Sequence, residues 1–261
     1  MPQQRPPMPL DGDPSDTGPN DTDPNDTDTY DRDPAVGHRV DVARTLVNTR
    51  HGPAGLLRRP ASRPWLTLVL GHGAGGGADA RELGWLSRDL PPHGICVLRV
   101  EQPWRVAGRK VAARAAVLDE AWLDVLAGLE RRTPLVVGGR SSGARVACRT
   151  AASVGALGCL ALAFPLHPPW RPEQTRLPEL QGSGVPTLVI QGERDVFGAA
   201  EAFLEVAGSI QIAPIADADH EFAVPRSSGR SASLVRVDVV GCVLAWLREL
   251  VRCRLDQGRD T

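Results

Sequence analysis

The fold is decided by one stretch, Leu135-Val136-Val137-Gly138-Gly139-Arg140-Ser141-Ser142-Gly143. Its apolar start predicts a buried strand, and the small residues that follow, over Ser142–Val154, predict a helix. A Gly-x-Ser-x-Gly turn between a strand and a helix holds the serine hydroxyl above the sheet, and the helix N-terminus offers amides to a developing oxyanion. The pattern therefore predicts that Ser141 is a nucleophile. The alternative is an ordinary glycine-rich turn.

Short apolar runs flank this stretch and alternate with helical patterns. The predicted strands are Arg39–Val47, Gly55–Leu57, Leu66–Leu70, Ile95–Val100, Leu135–Val137, Cys159–Phe164, Thr187–Ile190 and Ile210–Ile215. The other predicted helices are Ala80–Leu90, a long helix with a core-facing stripe from Val111 to Leu129, Gly198–Val206 and Leu234–Arg252. This alternation is typical of an α/β protein with a mostly parallel, doubly wound sheet flanked by helices. Ligands of such sheets bind beyond the carboxyl ends of the strands.

A base and an acid follow two later strands. His220 lies in a polar loop after the last strand, and imidazole titrates close to neutral pH, as a general base for serine must. Asp195 follows the strand Thr187–Ile190, where a carboxylate can orient the imidazole. Asp195 could instead be a turn or helix-cap residue, and Glu193 and Asp219 are the other candidates for the acid.

The glycine-rich segment from Gly71 to Gly77 has two interpretations. In the hydrolase interpretation it supplies one oxyanion amide, from Ala74 or Gly75, and Ser142 supplies the other. The pattern Gly71-x-Gly73-x-x-Gly76 also fits a dinucleotide fingerprint, with Glu101 ending the next strand where a ribose ligand might lie. The cofactor interpretation leaves the serine, acid and histidine at three strand ends unexplained, so we expect no cofactor.

Together, these motifs resemble the α/β-hydrolase superfamily, and within it the dienelactone-hydrolase-like KANSL/Tex hydrolase-like family. The resemblance runs from about Val40 to Leu250, and the order serine, acid, histidine is the one the superfamily uses. It implies an α/β-hydrolase fold and a serine hydrolase acting on a small ester or thioester. Because some members of the family serve as subunits of chromatin-modifying assemblies without an established reaction, a catalytically silent binding module is the alternative.

The substrate site is expected to be open. Only 22 residues separate Phe164 from Thr187, too few for a lid domain. The candidate substrate-binding residues are His72, Trp104, His167 and Trp170, with Phe222 as a further rim aromatic. His72 is expected to shape its loop, and packing is an equally good role for the aromatic residues. Arg140 could attract an anionic group, although a solvated charge on the turn is the simpler expectation.

Composition bounds the remaining possibilities. Residues 1–37 carry nine Asp against two Arg, predicting a disordered acidic tail that could bind a protein partner, followed by a hydrolase domain over 38–254 and a flexible C-terminus at 255–261. Dispersed arginines and an aromatic content of only 4% argue against nucleic acid. No metal-ligand spacing, signal peptide or membrane-spanning run is found, so a cytoplasmic protein without a metal is expected.

Overall fold

The computed structural model describes residues 43–203 and 210–257. The predicted acidic tail at 1–37 and the last residues of the chain, 258–261, lie outside the described residues.

The described chain forms an eight-stranded sheet. Its strands are β1 (Ala43–Thr49), β2 (Gly52–Arg59), β3 (Leu66–Gly71), β4 (Ile95–Glu101), β5 (Leu135–Arg140), β6 (Gly158–Leu162), β7 (Thr187–Gly192) and β8 (Ile210–Ile215). They are arranged in the order β1-β2-β4-β3-β5-β6-β7-β8. The pairs β1–β2 and β2–β4 are antiparallel, whereas β4, β3, β5, β6, β7 and β8 run parallel. The prediction of a mostly parallel sheet is confirmed.

Helices cover both faces of the sheet. They are α1 (Arg81–Asp89), α2 (Pro103–Val106), α3 (Ala115–Ala127), α4 (Ser142–Thr150), α5 (Leu177–Gln181) and α6 (Ala232–Gln257). Apolar residues of α3 and α4 pack with one face of the sheet, around Trp122 and Phe164. Those of α1 and α6 pack with the other face, around Leu83 and Trp246. The parallel strands β3, β4, β5, β6 and β7 are almost entirely buried, which explains their mainly apolar sequences, whereas β1 and β8 at the two edges of the sheet are more exposed.

Some local predictions were wrong. Val111 was expected on the core-facing stripe but is 80% exposed, because α3 begins only at Ala115. The chain leaves α2 through Gly108, whose positive φ of 71° breaks the helical path. The expected helix at 198–206 contains a single turn of 3₁₀-helix, Ala200–Phe203, and residues 204–209 lie outside the described part. Between β6 and β7, where every residue is described, the only helix is the short α5, so this segment holds no lid domain.

Candidate active site

Ser141 occupies a strained turn between β5 and α4. Its backbone has φ 51° and ψ −115°, a conformation that residues with a side chain rarely adopt. The turn is held by a hydrogen bond from the Ser141 amide to the carbonyl of Leu162, at 3.0 Å. Among the described residues, the other non-glycine positions with positive φ are Ala163 and Asp217, just beyond the ends of β6 and β8, and Phe222, two residues after His220. Strain is thus concentrated at the carboxyl edge of the sheet, as is common at functional sites.

Close packing among Gly71, Gly139 and Gly143 holds the Ser141 turn against the sheet. A Cβ on Gly143 would lie 2.4 Å from the carbonyl oxygen of Gly71, and one on Gly139 would lie 2.6 Å from the backbone of Gly143. Neither position has room for a methyl group, so α4 begins directly against β3 and β5. The first amides of α4, which have no acceptor within the helix, thereby lie beside the serine.

His220 lies between Ser141 and Asp195. Its Nε2 is 3.1 Å from Oγ of Ser141, and its Nδ1 is 2.8 Å from Oδ2 of Asp195. With Nδ1 donating to the carboxylate, Nε2 is left to accept the serine proton. The structure brings the predicted nucleophile, base and acid into one hydrogen-bonded line.

Two groups that were not predicted from the sequence support the Asp195 carboxylate. Nε2 of Gln191 donates to Oδ2 at 2.7 Å, and the amide of Phe197 donates to Oδ1 at 2.8 Å. The Asp195 side chain has no exposed surface, so these donors replace the water it would have in solution. The ring of Phe197 also lies against His220, with centroids 4.4 Å apart. Neither Glu193 nor Asp219 is bonded to the imidazole: Glu193 accepts from the amide of Asp217, and Asp219 from the amides of Glu221 and Ala223.

Arg140 is buried, contrary to the expectation of a solvated charge. Its Nε lies 2.8 Å from Oε1 of Glu82 on α1, and both side chains are at most 9% exposed. Burial raises the pKa of Glu82, and the guanidinium of Arg140 opposes that rise. Nη2 of Arg140 is 3.4 Å from the carbonyl oxygen of His220. A Cβ on Gly73 would lie 3.0 Å from Nη1, so the guanidinium lies between the loop after β3 and the loop of His220.

The predicted oxyanion residues divide into two groups. Ala74 and Ser142 line a small recess together with Gly73 and Gly143, whereas Gly75 is exposed and is not part of its lining. This arrangement favours Ala74 over Gly75 as the partner of Ser142.

His72 lines the same recess but is fixed by the backbone. Its Nδ1 lies 2.7 Å from the carbonyl oxygen of Gly73, and its Nε2 accepts the amide of Gln102 at 3.1 Å. Burial lowers the pKa of His72. The side chain is therefore a neutral imidazole that connects two loops.

The remaining predicted substrate-binding residues lie apart from one another. Trp104 is 5% exposed, packs near the ring of His72 and lines the recess. His167 is half-buried and bonds to the carbonyl of Pro168 through Nδ1, and Trp170 is exposed. Phe222 was proposed as a rim aromatic, but it is fully buried in the core beneath α6, because its positive φ turns the chain inward after His220.

The geometry of the glycine-rich segment does not match a dinucleotide site. In that fingerprint the third glycine allows a helix to pack closely on the strand. A Cβ on Gly76 would meet nothing within 4 Å, and α1 begins only at Arg81. Within residues 43–203 and 210–257, no cluster of three or more His, Cys, Asp or Glu side chains could hold a metal ion. None of the helices in this part of the chain is long and apolar enough to cross a membrane.

The sequence matches a known protein family. The family described as an alpha/beta hydrolase domain matches residues 64–247. No curated protein matches the sequence significantly.

Solved structures share the fold at low sequence identity. An α/β serine hydrolase without a lid from Xanthomonas campestris is 20% identical, with a TM-score of 0.62 over 78% of this chain and 94% of that chain. Est1E from Butyrivibrio proteoclasticus is 13% identical, with a TM-score of 0.61 over 78% of this chain and 99% of that chain. A dienelactone hydrolase from Anabaena variabilis is 16% identical, with a TM-score of 0.59 over 77% and 96% of the two chains.

Proposed function

Since this chain belongs to the alpha/beta hydrolase family, we propose that it is a serine hydrolase that cleaves a small ester or thioester through an acyl-enzyme on Ser141. The observation that carries the proposal is the line of hydrogen bonds from Ser141 through His220 to Asp195, at 3.1 and 2.8 Å. A hydroxyl, an imidazole and a buried carboxylate in this order form the arrangement that activates serine for acyl transfer.

The reaction follows from the positions of these groups. Oγ of Ser141 attacks the carbonyl carbon while Nε2 of His220 takes the hydroxyl proton. The amides of Ser142 and Ala74 donate to the oxyanion, a contribution of roughly 10²–10³ in rate for one such donor. His220 then protonates the departing alcohol or thiol. A water molecule then gives a proton to the same nitrogen and attacks the acyl carbon. The bond from this carbon to Oγ of Ser141 breaks, the acid is released, and His220 returns its proton to Oγ. Asp195 holds the imidazole in the required tautomer and stabilises its charged form.

A fluorophosphonate probe tests the activation of the serine directly. We expect the purified protein to be labelled at Ser141, as located by peptide mass, and the label to be lost in Ser141→Ala and His220→Ala. Ser227→Ala, which removes an exposed hydroxyl elsewhere, is the matched control and should label like the wild type. Folded protein that does not label would overturn the proposal and favour the binding module.

Several narrower expectations stay predictions. They are membership of the KANSL/Tex hydrolase-like family, a protein partner for the acidic tail, a cytoplasmic location and substrate contacts by His72, Trp104, His167 and Trp170. Hydrolysis of oxygen esters and thioesters that share one acyl group, measured side by side, would decide between the two substrate types.

A further inference from the structure

A cavity of about 380 Å³ lies beside α2 and α3, behind the glycine-rich loop. Its lining includes Gln102, Trp104, Arg109, Val117 and Leu118. A volume of this size falls within the range of small-molecule pockets, roughly 300–1,000 Å³.

The cavity adjoins the recess beside Ser141. Gln102, Trp104 and Leu118 line both spaces, and the recess is completed by Ala74 and Ser142, whose amides are the proposed oxyanion donors. The cavity therefore lies next to the proposed oxyanion donors.

Neither space is lined by the loop that carries the catalytic base. No residue of the loop at 217–222, which carries His220, belongs to the described lining of either space. A leaving group must stay within reach of Nε2 of His220 to be protonated. A cavity beside the oxyanion donors and apart from this loop is therefore better suited to the acyl group than to the leaving group.

The segment that supplies most of the cavity lining is cationic. Residues 102–118 contain Arg105, Arg109, Lys110 and Arg114 but no Asp or Glu. All four basic side chains belong to exposed residues, and Arg109 lines the cavity. Asp79 lies near Arg105, because a Cβ on Gly77 would be 2.6 Å from the carboxylate of Asp79 and 3.6 Å from Nε of Arg105.

The other three cations have no such neighbour. In the described part of the chain, no ion pair joins Arg109, Lys110 or Arg114 to a carboxylate. Elsewhere the pairing is dense: Arg149 on α4 binds both Asp119 and Glu179. His51, which also lines the cavity, pairs with Glu120 at 2.6 Å. An excess of positive charge beside a cavity raises the local concentration of anionic ligands.

We propose that the acyl group of the substrate ends in a carboxylate held by Arg109, so that the protein cleaves half-esters or half-thioesters of dicarboxylic acids. The inference rests on the proposed hydrolase function of Ser141. Planar guanidinium is suited to bind a carboxylate through two parallel hydrogen bonds, and Lys110 and Arg114 add to the attraction.

Two esters of equal length test the preference. In the p-nitrophenyl monoester of adipic acid, a carboxylate replaces the terminal methyl group of p-nitrophenyl hexanoate. We expect kcat/KM to be about tenfold higher for the adipate ester, the size of one charged hydrogen bond. Arg109→Gln should remove this preference by lowering kcat/KM for the adipate ester toward the value for hexanoate. Raising the salt concentration should lower kcat/KM for the adipate ester alone. Arg248→Gln, on the exposed side of α6, should change neither rate, and Ser141→Ala gives the background.

The outcomes separate the inference from the proposed function. Fluorophosphonate labelling with equal rates for the two esters, or a preference for hexanoate, overturns the inference alone, as does an equal loss of both rates in Arg109→Gln. If the protein labels but cleaves neither ester, protection decides: free adipate must slow labelling more than hexanoate does, and must lose that advantage in Arg109→Gln. A protein that neither labels nor cleaves overturns both.

Discussion

Two histidines at the same edge of the sheet differ in what they bond. His72, in the loop after β3, bonds only to backbone groups, the carbonyl of Gly73 and the amide of Gln102. His220, in the loop after β8, bonds only to side chains, the carboxylate of Asp195 and the hydroxyl of Ser141. A proton on Nε2 of His72 would face an N–H donor, whereas one on Nε2 of His220 is compensated by a carboxylate. The partners of a histidine, more than its position, therefore determine whether it can act as a base.

The largest expected effect comes from removing the Asp195 carboxylate, which binds His220. Asp195→Asn retains the shape but lets an amide face Nδ1, which favours the wrong tautomer of His220. We expect kcat to fall by roughly 10³–10⁴-fold, with little change in the melting temperature. Asp217→Asn, in the loop that carries His220, should stay within about twofold of wild type, because asparagine tolerates a positive φ. Equal losses in the two variants would show that loop structure, not the carboxylate, matters.

The next largest effect is expected from Arg140, whose guanidinium lies between the loop after β3 and the loop of His220. Arg140→Leu leaves Glu82 buried without its cation and should cost about 3–5 kcal/mol in the free energy of unfolding, measured with urea. The double variant Glu82→Leu with Arg140→Leu removes both charges and should recover most of that stability. Because it still lacks the donor to the carbonyl of His220, we expect kcat to remain about tenfold low. A double variant with wild-type kcat would give the pair a purely structural role.

The pH dependence of the free energy of unfolding tests the lowered pKa of His72. The pKa of folded His72 is lowered from its ordinary value of 6.5, so the unfolded chain takes up the proton first as the pH falls. Stability from this group is therefore present above about pH 6.5 and is lost below it. His72→Gln keeps an acceptor for the Gln102 amide but cannot titrate. Urea unfolding between pH 5 and 7 should show a shallower loss of stability in the variant, and an identical slope would contradict the prediction.

The smallest effect is expected at a third histidine of this edge. The imidazole of His167, after β6, bonds to the carbonyl of Pro168, and the His167 amide donates to the carbonyl of Phe197. His167→Gln should change the free energy of unfolding by no more than about 0.5 kcal/mol and kcat/KM by less than about twofold. A rise in KM alone would instead support the pocket-rim role expected from the sequence.

Most of the fold could be predicted from the sequence, because strands that are buried on both faces have continuous apolar sequences. β6 is a fully buried apolar run, and β5 begins with one; β8, an edge strand of mixed burial, has the predicted bounds, Ile210–Ile215. Ser141, Asp195 and His220 could be chosen because each follows a strand that ends at the same edge. The glycine spacing alone could not decide between an oxyanion loop and a cofactor loop, since the difference lies in where α1 begins.

The contacts that the sequence did not reveal join residues far apart in the chain. Arg140 and Glu82 are separated by β4 and α3, and each alone resembles an ordinary surface charge. Gln191 offered a weak signal, as a polar residue at the end of an apolar strand, but its role depends on the later turn that brings Asp195 back to it. Val111 was wrongly placed on the core-facing stripe of a helix, because an apolar residue at helical spacing can still precede the helix.

The contact among Gly71, Gly139 and Gly143 has a consequence for directed evolution. A library that varies Gly139 and Gly143 would mostly yield misfolded or inactive chains, because a side chain at either position pushes α4 and its amides away from the serine. Changes in substrate range must come from above the sheet instead, and the exposed segment at 105–114 can be varied without disturbing that contact.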